Sequence, residues 1–97
     1  MDDPDPRVRA DALQWWAVQE TDESGAAFLR DQAVADPHSW PRIAAVQSLA
    51  YGWPAHPDTI PLLRERAEVD EDEDVRLEAT RSLAAAEALA PLADELP

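Results

Sequence analysis

Pro41-Arg42-Ile43-Ala44-Ala45-Val46-Gln47-Ser48-Leu49-Ala50 stands at the centre of the chain and has a relative on each side. Shifted back by 33 positions it becomes Val8–Ala17, and shifted forward by 34 it becomes Val75–Ala84. Arg9, Arg42 and Arg76 then share one column. So do Ala12, Ala45 and Ala79, as well as Trp16, Leu49 and Leu83, and Ala17, Ala50 and Ala84. Self-similarity at this interval marks a stacked array, in which each short unit buries its apolar face on a neighbour.

The period within each copy is helical. Val8, Ala12, Leu13, Trp16 and Ala17 place a first helix from Arg7 to Gln19, after the proline-broken lead-in Asp2–Pro6. Ser24 is the expected N-cap of a second helix that turns Phe28, Leu29 and Ala33 inward and stops before Asp36-Pro37. In the second copy Pro41 suits a first helical turn, and Gly52 is expected as a left-handed C-cap. Asp58, which is 34 positions after Ser24, is the expected cap of the fourth helix. Further columns follow it: Phe28 with Leu62, Leu29 with Leu63, Arg30 with Arg64, Ala33 with Ala67 and Asp36 with Asp70. The acidic run Asp70–Asp74 favours a helix start, and a fifth helix is expected from Asp74 to Leu89. Its partner would centre on Leu96, at the end of the sequence, so the third unit reads as incomplete. The expectation is an all-α solenoid of about five helices in two and a half repeats, bounded near residues 3–35, 36–69 and 70–97.

An Asp lies six residues before each column arginine: Asp3 before Arg9, Asp36 before Arg42 and Asp70 before Arg76. The third copy reads Asp70-Glu71-Asp72-Glu73-Asp74-Val75-Arg76-Leu77-Glu78-Ala79-Thr80-Arg81-Ser82-Leu83. It resembles the opening of the short HEAT repeats of phycobilisome lyase-like proteins, Asp-x-Asp-x-x-Val-Arg-x-x-Ala-x-x-x-Leu. Leu49–Trp53 and Thr59–Ala67 are similar to repeat arrays of bacterial NACHT-type multidomain NTPases. The tetratricopeptide and ankyrin signatures are absent. The resemblance implies a right-handed superhelix. It also implies that Asp3, Arg9, Asp36, Arg42, Asp70 and Arg76 form a structural ladder between units. A guanidinium suits that task because its planar fork can bridge carboxylate and carbonyl oxygens together.

Composition narrows the function. At 97 residues the chain has room for one domain, with 45% apolar residues to build its core. It has no cysteine, which excludes a disulfide framework and a thiolate metal site and fits a reducing compartment. Twenty-one acidic residues against eight arginines, with no lysine, give a net charge of −13. Such a surface repels phosphate backbones and anionic membranes, and it keeps the chain soluble. It also favours a protein or peptide partner with a basic patch. No apolar run approaches a membrane span, and Met1–Pro6 is unlike a signal peptide, so the expected location is the cytoplasm. The Arg-only, Ala- and Asp-rich usage points to a GC-rich bacterial genome.

Catalytic chemistry finds no constellation. His38 and His56 are the only histidines, each beside a proline in an expected loop, and neither has the His-Glu pairing of iron-binding HEAT hydroxylases. Asp70, Asp72 and Asp74 imitate the start of a calcium loop, but Val75 and Arg81 occupy its glycine and closing-glutamate positions. Two glycines leave no phosphate-cradling loop and no nucleophile elbow. No enzyme activity, metal or cofactor is expected.

The expected function is a non-catalytic protein-interaction scaffold or sensor segment of a larger protein. The alternative is a stand-alone accessory factor of the lyase-like type, acting on a protein client. In HEAT arrays the second helices line the concave face, which here would present Arg30, Asp31, Val34, Arg64, Glu65 and Glu68. Trp16 is expected in the core, Trp15 over an open end of the stack or as a docking aromatic for an upstream segment or partner, and Trp40 and Trp53 under loops or, for Trp53, at a partner contact. The open end would leave Leu83 and Leu89 to be covered by the tail Ala90–Pro97 or by self-association.

Overall fold

The computed structural model describes residues 5–19 and 23–95, with side chains placed for 5–15 and 23–92. Five helices follow in order: α1 (Pro6–Gln19), α2 (Glu23–Ala35), α3 (Ser39–Gly52), α4 (Thr59–Val69) and α5 (Glu73–Glu95). No strand occurs among the described residues. Prolines are placed where a missing amide costs little: Pro6 opens α1, and Pro41 and Pro61 lie in the first turns of α3 and α4.

Each of α1, α3 and α5 starts at a side chain that accepts the amide two residues on. Asp5 accepts from Arg7 at 2.9 Å, His38 from Trp40 at 3.1 Å and Asp72 from Asp74 at 2.8 Å. Asp72 also takes the Val75 amide at 3.3 Å, which completes a side-chain cap. These three caps form a column of their own, one that the sequence reading passed over.

The helices lie in two layers. α1, α3 and α5 stack side by side, with α2 packed on α3 and α4 packed on α5. α2 and α4 touch each other only slightly. The result is a slab of 41 × 29 × 15 Å, a short α-solenoid. Its core runs between the layers. Leu13, Leu29, Leu49 and Leu63 are fully enclosed there, with Ala26, Ala33, Ala45, Val46, Ala50, Ala79 and Ala86 filling the narrower gaps. Each enclosed leucine contributes about 1.5–3 kcal/mol relative to exposure. Alanine columns allow helix axes to approach closely, which suits so thin a slab.

Several local expectations are corrected. Ser24 is the second residue of α2, which starts with the acidic Glu23 instead. Asp58 occupies the N-cap position of α4, but its side chain makes no capping bond. Its amide instead donates to His56 Nδ1 at 3.0 Å. Gly52 is helical, and no glycine has a positive φ. The chain leaves α3 through Trp53, whose amide reaches the Leu49 carbonyl at 3.0 Å and whose ring is buried in the core. That burial removes Trp53 from the partner-contact residues. Trp40, by contrast, is half exposed and leans on the His38 ring.

α5 is longer than expected. It continues through Pro91 to Glu95, so the described part of the tail extends the helix and does not fold back over Leu83 and Leu89. Trp15 is 67% exposed on α1. The side chains of Trp16 and Ala17, and all of Asp3, lie outside the described residues.

Candidate interaction face

The connection between α2 and α3 is only Asp36-Pro37-His38, and that between α4 and α5 only Asp70-Glu71-Asp72. Both aspartates therefore sit where one helix layer passes into the other, and both are buried. Asp36 Oδ1 accepts the His38 amide at 2.9 Å, and Asp70 Oδ1 accepts the Asp72 amide at 2.9 Å. A carboxylate enclosed in this way needs a cation, and the preceding unit supplies one.

Arg9 Nε and Nη2 each donate to the Asp36 carboxylate at 3.0 Å. Arg42 Nε and Nη2 donate to the Asp70 carboxylate at 3.2 Å each. The third nitrogen of Arg42 closes back on its own unit, donating from Nη1 to the Asp36 carbonyl at 2.8 Å. Arg76 repeats this last bond with the Asp70 carbonyl at 2.6 Å. Arg66 adds a fourth contact, from Nη1 to Asp70 Oδ2 at 3.3 Å. The Arg42 and Asp70 side chains are 5% and 1% exposed, so this pair is shielded from solvent. Burial alone would raise the Asp36 carboxyl, but hydrogen bonds from Arg9 and the His38 amide, with the charges of Arg9 and Arg42, hold it below its usual value.

A second line of polar contacts crosses the first layer. Gln14 Nε2 donates to Gln47 Oε1 at 3.3 Å, and Gln47 Nε2 donates to Glu78 Oε1 at 2.9 Å. Ser82 Oγ lies 3.4 Å from the same Glu78 oxygen. The sequence signal for it was the Gln14/Gln47 column, which apolar patterning does not reveal.

The six residues expected on the binding strip lie on α2 and α4, the helices of the outer layer. Asp31 and Val34 on α2, with Arg64, Glu65 and Glu68 on α4, are all exposed. Arg30, the remaining residue of that set, is mostly covered. Its Nη2 lies 3.0 Å from Glu23 and 3.8 Å from Asp58, and Nη1 faces His56. His56 also meets Glu23 through Nε2. Hydrogen bonds from Arg30 and then His56 lower the Glu23 carboxyl.

At one end of the strip a groove of about 350 Å³ opens between the two interlayer turns. Val34, Ala35, Pro37 and Val69 form its apolar rim, and the ion-paired Arg42, Arg66 and Asp70 form part of its lining. A neighbouring groove of about 410 Å³ is lined by His38, Arg42, Glu71 and Asp72 among others. Among the described residues, no group of three His, Cys, Asp or Glu could hold a metal ion. Asp70 in particular is already committed to two guanidinium groups.

A family model for HEAT repeats matches residues 1–84. The chain belongs to the HEAT repeat family. No curated protein and no solved structure matches it. The match spans the two complete layer crossings and the start of α5, where the Arg–Asp contacts between units lie. HEAT repeats generally serve as protein-interaction scaffolds. No helix among the described residues is long and apolar enough to cross a membrane.

Proposed function

We propose that the chain is a non-catalytic binding scaffold that grips a basic protein segment along the α2–α4 strip. One observation carries this reading. Val34 and Val69, 48% and 62% exposed, flank one groove with Glu71 in its lining, and Asp31, Glu65 and Glu68 are exposed on the same two helices. An apolar centre with an acidic border suits a segment that alternates apolar and cationic side chains. Arg64 would set register along the strip, and Arg30 would hold its edge through Glu23 and Asp58.

The resemblance offers two settings for such a strip, a sensor or scaffold segment of a multidomain protein and an accessory factor for a protein client. The first is favoured by the lining of the groove. Ion-paired Arg42, Arg66 and Asp70 make a poor wall for a client's prosthetic group, which needs a mostly apolar pocket.

Selection of a displayed library of random linear peptides against the chain tests the reading. Enrichment of Arg- and Lys-containing sequences is expected. Binding should weaken about tenfold or more in the double variant Arg64→Ala/Glu65→Ala, with no change in thermal midpoint. If the selected peptides bind that variant and Val34→Asp as tightly as the parent, the strip is not the contact surface.

A further inference from the structure

Within the chain one kind of helix contact is made twice, α1 on α3 and then α3 on α5. Both contacts use the same columns. The guanidinium of Arg9 or Arg42 takes a carboxylate from the following unit, and the amide of Gln14 or Gln47 reaches the following helix. The third member of each donor column meets no further unit among the described residues. Arg76 bonds the Asp70 carbonyl through Nη1, but no described carboxylate meets its Nε–Nη2 edge. Arg81, in the Gln14/Gln47 column, is exposed and pairs with no described residue.

The opposite end of the stack presents the acceptor side. Val8, Asp11 and Trp15 occupy the columns of Val75, Glu78 and Ser82. On α5 those positions face the preceding helix, and Val75 and Ser82 are buried. On α1 they are exposed. One pair of columns is complementary in charge, with Arg81 on α5 and Asp11 on α1, while Glu73 and Glu87 on α5 and Arg7 on α1 are exposed farther along the two helices. The two ends also match in shape, because Leu77 and Ala84 are exposed on α5 and Val8 and Trp15 on α1. Carrying the Gln47–Glu78 register forward one unit places Arg81 opposite the Asp11 of a following stack. Trp15, where the other units have serine, then falls against the small Ala84 and Ala85.

We infer that the open face of α5 is a docking site for the α1 face of a second copy of this chain, with Arg81 paired to Asp11 across the contact. The two faces differ, so the contact is heterologous and copies add head to tail. Neither face includes the α2–α4 strip, so this inference and the peptide-binding reading stand or fall separately. The charge of −13 opposes assembly at long range, whereas the Arg81–Asp11 contact acts at close quarters. Association therefore belongs to moderate salt, where charges beyond about 8 Å are screened.

Sedimentation velocity of the full chain at physiological salt, from micromolar to near-millimolar concentration, tests the contact. The parent chain should show a sedimentation coefficient that rises with concentration. Arg81→Asp and Asp11→Arg alter exposed side chains; each variant should keep its helical circular dichroism and sediment as a monomer. Mixed in equal amounts, they should associate again, because every contact between unlike copies then joins opposite charges. The double variant should self-associate like the parent. A parent that stays monomeric throughout overturns the inference. So do single variants that associate as the parent does, or folded monomeric variants whose mixture does not recover.

Discussion

Arg42 and Asp70 lie 28 residues apart in sequence, yet they meet through two parallel bonds of 3.2 Å in a site almost closed to water. The same guanidinium holds the Asp36 carbonyl, so one side chain joins both interlayer turns. Its removal leaves the enclosed Asp70 carboxylate with one guanidinium, that of Arg66, beside the Asp72 amide. Arg42→Ala should therefore lower unfolding free energy by about 3–5 kcal/mol, as for other broken buried pairs. Arg42→Lys should recover little, because an ammonium cannot span two carboxylate oxygens and a carbonyl. Urea unfolding followed by circular dichroism gives both values. A loss below about 1 kcal/mol for the alanine variant would show the pair to be incidental.

Asp36 links the fold to acid. Its carboxyl lies below the ordinary value near 3.9, so the unfolded chain binds the proton more readily. The stabilisation is fully present above the unfolded value and is lost as pH falls from there through the lower folded one. Asp36→Asn should destabilise at pH 7 and should flatten the decline in stability across that acid window. A decline as steep as the parent's would place the acid sensitivity elsewhere.

The cap column gives a substitution with opposite signs at equivalent places. Asp72→Ala should cost about 0.5–2 kcal/mol, since two amides at the start of α5 lose their acceptor. His38→Asp should keep or raise stability, because Asp5 and Asp72 already perform that task in the flanking units. Thermal midpoints of the two variants, compared with His38→Ala, decide the point.

Gly52 closes α3 without needing its conformational freedom. A Cβ there would meet nothing within 4 Å, and its φ is not positive. Gly52→Ala should therefore stabilise by about 0.4–1 kcal/mol, through a less flexible unfolded chain and better helix propensity. A lower midpoint would show that the turn at Trp53 depends on glycine after all.

Thr59 is fully buried at the start of α4, and its hydroxyl has no hydrogen-bond partner among the described residues. Thr59→Val keeps the shape and removes the unpaired group. Stability should rise by up to about 1 kcal/mol, read as a shift in the urea midpoint at constant slope. A fall would reveal a partner for that hydroxyl.

Much of this architecture was legible because columns 33 and 34 apart constrain helix faces more tightly than any single helix does. Leu29 with Leu63, and Asp36 with Asp70, fall in equivalent surroundings for that reason. Periodicity was silent where a residue's role depends on a neighbour in space. Nothing in the order of residues shows that α2 packs on α3, or that Arg30 is drawn to Glu23 and Asp58. His38 was hidden by its type, since an imidazole in an aspartate column does not look like a cap. The length of α5 was misjudged at Pro91. A proline near a helix end removes one amide, and the helix there continues past it to Glu95.

The slight contact between α2 and α4 has a mechanical consequence. Each is anchored to its own partner below, α2 to α3 and α4 to α5, and the interlayer turns carry the stiffest bonds. The slab is thus braced along one surface and compliant along the other, like a bound book that fans at its free edge. Val34 and Val69 line a groove beside the turns that Arg42 joins, at the braced edge. A segment held in the groove would therefore meet walls that one guanidinium keeps at a fixed spacing.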